Sequence, residues 1–297
     1  MSRDWRHIVP HLKEKGYGVL APDMLGYGET AKPTDPAAYV PSLISKDLVD
    51  ILDAEKLDKV VAVGHDWGSK AVSRLASYHP ERFIAYAFFA VAFMEVTPPT
   101  DFQIYLDYLK RVYGYDLFGY WTFFSAPDAN EVIQAHMESF VSIMYPYDPT
   151  IWKTRFAPTG AMRGSLLEDY VAPKPSYVSE EDKKHFIETF KRNGFEAPTC
   201  WYKIMTSQLA AKDDQQIPYE RLIPPASAPI YFGAAKHDYI ALPKLGYTVF
   251  GKDEFSKHNV TQKEYDADHW VVLSKGDEIA RDLDAWIEST VAAKANI

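Results

Sequence analysis

Val63-Gly64-His65-Asp66-Trp67-Gly68 joins an apolar run, Lys59-Val-Val-Ala-Val63, to a segment of helical texture that continues to Tyr78. The run reads as a buried strand. A strand that enters a helix through a turn flanked by two glycines has the Gly-x-nucleophile-x-Gly form of a nucleophile elbow, with aspartate where serine usually sits. Both glycines are expected where the turn is tight and neighbouring backbone passes close. The elbow would lift Asp66 clear of the sheet, at the N-terminus of the helix, whose positive end keeps a carboxylate ionised. The plainer alternative makes Asp66 only an N-cap.

Outward from this stretch, helical and strand patterns alternate. Residues 4–15 read as a helix, with Trp5, Ile8, Val9 and Leu12 on one face. Val19 to Ala21 reads as a short strand, and Pro22 to Gly28 as a loop. Leu43 to Leu57 reads as a helix, and Phe83 to Phe93 as a β-rich apolar run. Such alternation implies a parallel sheet with crossover helices. From Val96 to about Pro225 the texture is helical and aromatic with no convincing strand, and 154–176 looks irregular. Strand patterns return at 229–232 and 260–265, before a closing helix at Asp277 to Ala293. The organisation expected is an α/β core at 1–95 and 226–297 interrupted by a helical insertion at 96–225.

The 297 residues are ample for a core, and 16 Phe, 20 Tyr and 7 Trp argue against global disorder. A net charge of −9 with no basic run makes a nucleic-acid partner unexpected. A single cysteine, Cys200, precludes an intrachain disulfide and an all-cysteine metal site, and suits a reducing compartment. The N-terminus lacks the apolar stretch of a signal peptide, the longest apolar run is too short to span a bilayer, and Ala-Lys-Ala-Asn-Ile297 is no retention signal. A cytoplasmic protein without membrane insertion is the expectation. His7 and His11 are spaced i, i+4, but with Pro10 between them and no acid they read as surface residues rather than metal ligands. Oligomeric state is not readable.

A nucleophile needs a base, and the base an orienting acid. Asp238 follows the strand pattern at 229–232, and His269 the one at 260–265. Nucleophile, acid, histidine is the chain order of α/β-hydrolases. Each candidate falls just past the C-terminal end of a strand, where open α/β sheets bind ligands.

With these residues in view, the sequence resembles the epoxide hydrolase branch of the α/β-hydrolase superfamily. The matching stretches are Trp5 to Pro10, Gly16 to Gly28, Gly64 to Gly68 and Asp268 to Trp270. The resemblance implies an α/β-hydrolase fold with an inserted helical cap, Asp66 as nucleophile, His269 as the base activating water, and Asp238 as its partner. It also implies two cap tyrosines. Cys200-Trp201-Tyr202-Lys-Ile-Met205 resembles an Asn-Trp-Tyr-x-x-Met segment, which points to Tyr202. Tyr120-Trp-Thr-Phe-Phe-Ser-Ala-Pro127 resembles a Tyr-x-x-Tyr-Phe-Gln-x-Pro segment, which points to Tyr120, although Phe123 and Ser125 depart from it. Trp67, Trp121 and Met205 would line the oxyanion and substrate pocket. The partners implied are a small apolar epoxide and water, with no cofactor and no metal. Haloalkane dehalogenase, with the same Asp–His–Asp logic, and a non-catalytic binding protein of this fold are the alternatives.

The family's first core strands and its His-Gly-x-Pro segment have no counterpart here. Either Val19 to Ala21 pairs directly with 59–63, or the sequence is an incomplete copy of a longer protein. One oxyanion donor would then be lacking, which slows ester hydrolysis by roughly 10²–10³-fold.

Overall fold

A computed structural model describes residues 1–292; 293–297, which include the end of the helix expected to reach Ala293, lie outside the described residues. The chain forms two compact units. One comprises Ser2–Pro22, Pro41–Thr97 and Asp213–Ile297; the other comprises Met1, Asp23–Val40 and Pro98–Lys212.

The first unit holds the sheet. Strands β1 (Val60–His65), β2 (Phe83–Phe89), β3 (Ile230–Ala235) and β4 (Val260–Tyr265) run parallel in the order β1-β2-β3-β4. Val63 pairs with Ala87, Phe88 with Phe232, and Ile230 with Val260. β2 and β3 read as continuous apolar runs because both faces are covered, as in parallel sheets generally. Nearly every residue of these two strands is buried. Val49, Leu52, Val72, Leu75, Phe88 and Phe232 belong to one core cluster, which ties helices α2 (Pro41–Ala54) and α3 (Trp67–Tyr78) to the sheet.

Several elements differ from the sequence expectation. Val19 to Ala21 is not a strand: Val19 and Leu20 are exposed, and among the described residues the only strand paired with β1 is β2. Three residues between Gly18 and Pro22 have no neighbouring strand to satisfy their backbone groups, so they run over the surface. The helix expected over 4–15 is split into a 3₁₀ turn, Ser2–Trp5, and α1, Val9–Glu14. Pro10, which has no N–H to give, sits in the first turn of α1, where none is needed. The closing helix, Gly276–Trp286, ends in a π turn at Ile287–Ala292.

The second unit is helical and aromatic. Its longest helices are Phe102–Tyr113 and Glu180–Asn193. The latter opens with a capping box of Ser179 and Asp182 and is followed by Gly194 at φ +73°. Phe140, Phe186, Phe190 and Phe195 pack ring on ring at centroid distances of 4.4–6.2 Å. The stretch expected to be irregular, 154–176, contains the helix Ala161–Leu167. Its glycines do not break it: Gly160 lies at its start in a left-handed conformation, and Met162, Ser165 and Leu166 are buried along it.

Residues 23–40 belong to this helical unit. Trp201 donates its indole N–H to the Leu25 carbonyl at 3.0 Å and meets the Tyr39 ring edge-on at 6.0 Å. Asn193 donates to the Gly28 carbonyl, and Arg192 pairs with Glu29. Among the described residues no helix is long and apolar enough to cross a membrane.

Candidate active site

The elbow forms because β1 ends at His65 and α3 begins at Trp67, leaving one residue to turn the chain. That residue, Asp66, takes φ +52° and ψ −118°, a conformation rare for a side chain with a Cβ. Its N–H donates to the Phe89 carbonyl at the end of β2 (3.4 Å), and its carbonyl accepts the Ser69 N–H (2.9 Å) and the Lys70 N–H (3.3 Å). Gly64 makes the turn possible, since a Cβ there would lie 2.4 Å from the Gly68 backbone. Gly68 itself would meet nothing within 4 Å. The need for close approach therefore falls on Gly64 alone.

Asp66, His269 and Asp238 form one hydrogen-bonded line in the sheet unit. His269 Nε2 is 3.3 Å from Asp66 Oδ1, and His269 Nδ1 is 2.7 Å from Asp238 Oδ2. The second Asp238 oxygen accepts the backbone N–H groups of Ile240 and Ala241, each at 2.9 Å. Asp238 and His269 are buried, while the Asp66 side chain keeps 31% of its surface open. The inner pair is thereby fixed and the outer carboxylate left accessible.

Electrostatics follow from this order. Burial pushes the Asp66 carboxyl up, but the hydrogen bond and charge of His269, with His65 and the Trp67 N–H, draw it below the usual carboxylate range. Burial pushes His269 down, yet Asp238 and then Asp66 outweigh it and raise the imidazole to about 10. These shifts favour an Asp66 carboxylate beside a protonated His269.

His65, the residue before Asp66, escaped the sequence reading. Its Nε2 donates to the backbone carbonyl of His269 at 2.7 Å, and its ring lies 5.0 Å from that of His269 and 5.8 Å from Trp270. Burial and the His269 charge lower it to about 4, so it stays neutral. Its place inside the quoted motif was a signal, but its partner lies 204 residues away in sequence.

A second polar cluster in the same unit was also missed. Asp214 receives Arg74 at 2.8 Å and Lys70 at 3.3 Å, all three buried. Arg74 also donates to the carbonyls of Met94 and Glu95.

Trp67 opens α3 in the sheet unit, whereas Tyr120, Trp121, Tyr202 and Met205 lie in the helical unit, where Trp121 and the two tyrosines come together. The Tyr120 and Tyr202 rings meet at 5.9 Å, nearly perpendicular, and Trp121 lies 6.1 Å from Tyr202. Phe156 stacks on Tyr120 at 4.1 Å, and Phe124 lies 4.7 Å from Tyr202. Met205 follows one turn after Tyr202 on the helix Cys200–Thr206. Phe156 and Phe124 carried no motif, and only the general wealth of aromatics hinted at them. Among the described residues no group of three or more His, Cys, Asp or Glu is arranged to hold a metal ion.

The model of the alpha/beta hydrolase fold family matches residues 1–275. The bifunctional epoxide hydrolase 2 of Sus scrofa is 28% identical over 290 residues, covering 96% of this chain and 49% of that protein. Epoxide hydrolase A of Mycobacterium tuberculosis is 29% identical over 212 residues, covering 68% of this chain and 63% of that protein. The chain thus spans about half the length of the bifunctional relatives it matches. The crystal structure of epoxide hydrolase A from Mycobacterium thermoresistibile superposes with a TM-score of 0.75 at 25% identity, covering 97% of this chain and 88% of that one. This chain belongs to the alpha/beta hydrolase fold family, and across nearly its whole length it is similar to epoxide hydrolases.

Proposed function

We propose that this chain opens epoxides to vicinal diols through an ester on Asp66. The observation that carries the reading is the Asp66–His269–Asp238 line, with an aspartate at the strained elbow. An aspartate there is a nucleophile without prior deprotonation, because it is held ionised at rest. The names of the relatives support an epoxide as the electrophile.

In the first step a carboxylate oxygen of Asp66 attacks an epoxide carbon and the ring C–O bond breaks. The departing alkoxide takes a proton from a phenol, for which Tyr120 and Tyr202 are the proposed donors. The helical unit is accordingly read as the cap, with Trp121 and Met205 as pocket residues.

The ester has no charge. The Asp66 part of what raises His269 is lost with it, so the imidazolium becomes more acidic and can give up its proton. That proton returns through solvent to the tyrosinate. Neutral His269, oriented by Asp238, then takes a proton from water as the water oxygen adds to the ester carbonyl. The Trp67 N–H is the proposed donor to the resulting oxyanion. Collapse expels the diol oxygen, which takes the proton of the new carboxylic acid. Asp66 is again a carboxylate and His269 again an imidazolium.

A cytoplasmic setting is part of the proposal, supported by the buried free thiol of Cys200. The test is intact-mass and peptide analysis of a His269→Gln variant given styrene oxide. The expected result is one equivalent of epoxide mass on the peptide containing Asp66, alongside diol formation by the parent chain. Neither adduct nor diol would overturn the reading.

A further inference from the structure

The helix Phe102–Tyr113 is apolar on two sides. Its inner side buries Leu106 and Leu109, which accounts for its place in the helical unit. Its outer side carries Ile104, Tyr108 and Val112 at i, i+4 and i+8, and these remain 63%, 49% and 48% exposed. A straight ridge of this kind contributes nothing to the unit's own core, and exposed apolar patches of this sort mark association sites. Beside the ridge runs an open groove of about 410 Å³, lined by Thr100, Ile104, Tyr105, Asp107, Tyr108 and Arg111.

Ridge and groove share residues on one helix, and the charges are ordered along it. The N-terminal half carries Asp101 and Asp107; the C-terminal half carries Lys110 and Arg111. We propose that this helix is a self-association surface, on which two copies of the chain pair antiparallel about a two-fold axis. A two-fold contact must be self-complementary, and this face meets that condition. An axis near the middle of the helix sets the ridge of each copy into the groove of the other. It also sets Asp107 of each copy against Arg111 of the second, both of which line the groove, and opposes the two helix dipoles; Lys110 pairs with Asp116 of its own chain. Arg111, which already lies 5.9 Å from the Tyr108 ring, is placed to cover a tyrosine of the second copy. The contact is small, so the dimer belongs to the weak, reversible class.

The test is sedimentation velocity over a concentration series of the chain. The expected result is a monomer–dimer equilibrium that weakens with added salt. Tyr108→Glu should raise the dimer dissociation constant by roughly tenfold or more, with an unchanged circular dichroism spectrum. Asp107→Lys should also weaken the dimer, and adding Arg111→Asp to that variant should restore it. A monomer at every concentration overturns the proposal, as does a dimer indifferent to Tyr108→Glu and Asp107→Lys. So does a persistent monomer whose groove takes up an aromatic small molecule, which would assign the face to that ligand. None of these outcomes bears on epoxide opening.

Discussion

His269 Nδ1 lies 2.7 Å from Asp238 Oδ2, and the other oxygen of that carboxylate is held by two backbone N–H groups. The carboxylate is therefore fixed before it fixes the imidazole. Asp238→Asn keeps the size of the side chain but presents an N–H or an amide oxygen to the imidazole, and so unsettles the tautomer. Turnover of an epoxide should fall by about 10³–10⁴-fold. The loss should fall on ester hydrolysis, so the mass adduct at Asp66 should reach a larger fraction of the protein and decay more slowly than in the parent.

The raised imidazole of His269 depends in part on the Asp66 charge. Asp66→Asn should lower its pKa from about 10 toward the ordinary range, which histidine nitrogen resonances followed against pH would show directly. A His269 that titrates identically in both chains would contradict the charge-coupled mechanism.

Lys70 presents the opposite case. Burial, then Arg74, lowers its pKa to about 7 despite Asp214. The unfolded chain holds this proton more tightly, so the contribution of Lys70 to stability rises between about pH 7 and 10.5. His269 is raised, so its contribution is full below 6.5 and is lost as pH climbs toward 10. The two slopes oppose each other across nearly the same window. Lys70→Met leaves the Arg74–Asp214 pair intact and removes a buried amine. The variant should be more stable at neutral pH by about 1–4 kcal/mol. Its stability should then fall from pH 7 to 10 where the parent's is nearly level, as chemical denaturation at several pH values would reveal.

The two elbow glycines should behave differently. Gly64→Ala drives a methyl group into the Gly68 backbone, which cannot yield without moving Asp66. A loss of about 2–4 kcal/mol is expected. Gly68→Ala points its methyl group into open space within the first turn of α3. It should be neutral or slightly stabilising, by at most about 1 kcal/mol. Thermal melts of both variants check the contrast.

Tyr202→Phe keeps the ring that packs against Tyr120 and Phe124 and removes only the hydroxyl. Ring opening should slow by about 10²-fold. Single-turnover ester formation, rather than steady-state hydrolysis, is where the loss should be read.

What could be read from the residues follows the range of the forces involved. β1, β2 and β3 announce themselves because they are locally apolar, as strands of a parallel sheet are; β4, an edge strand reading Val-Thr-Gln-Lys-Glu-Tyr265, buries only its tyrosine and shows itself by β-branched and aromatic residues alone. The elbow is legible because Gly64, Asp66 and Gly68 stand together. Val19 to Ala21 misled because an apolar triplet specifies a strand only when another strand is there to receive it. The glycines of 160–164 misled because helix breakers were weighed without Met162 and Leu166, whose burial pays for the helix. The Asp66–His269 contact joins distant segments, and the chain order of the residues hinted at it without fixing a distance. Asp214 was invisible, since nothing near it in sequence marks a partner for Lys70 and Arg74. The fold and family are borne out by the match over residues 1–275, while the roles of Asp66, Asp238, His269, Tyr120 and Tyr202 rest with the experiments above.

Cys200 is the only cysteine in the chain; it is completely buried and lies against the carbonyls of Glu196 and Thr34. The molecule thus carries one natural clock. A thiol reagent can modify it only when it is exposed, so the labelling rate reports the free energy of the lowest opening, local or wider, that frees the helix Cys200–Thr206. Engineered reporters are not needed: one absorbance trace follows the stability of the helical unit, residue by residue of substitution, while tryptophan fluorescence follows the whole.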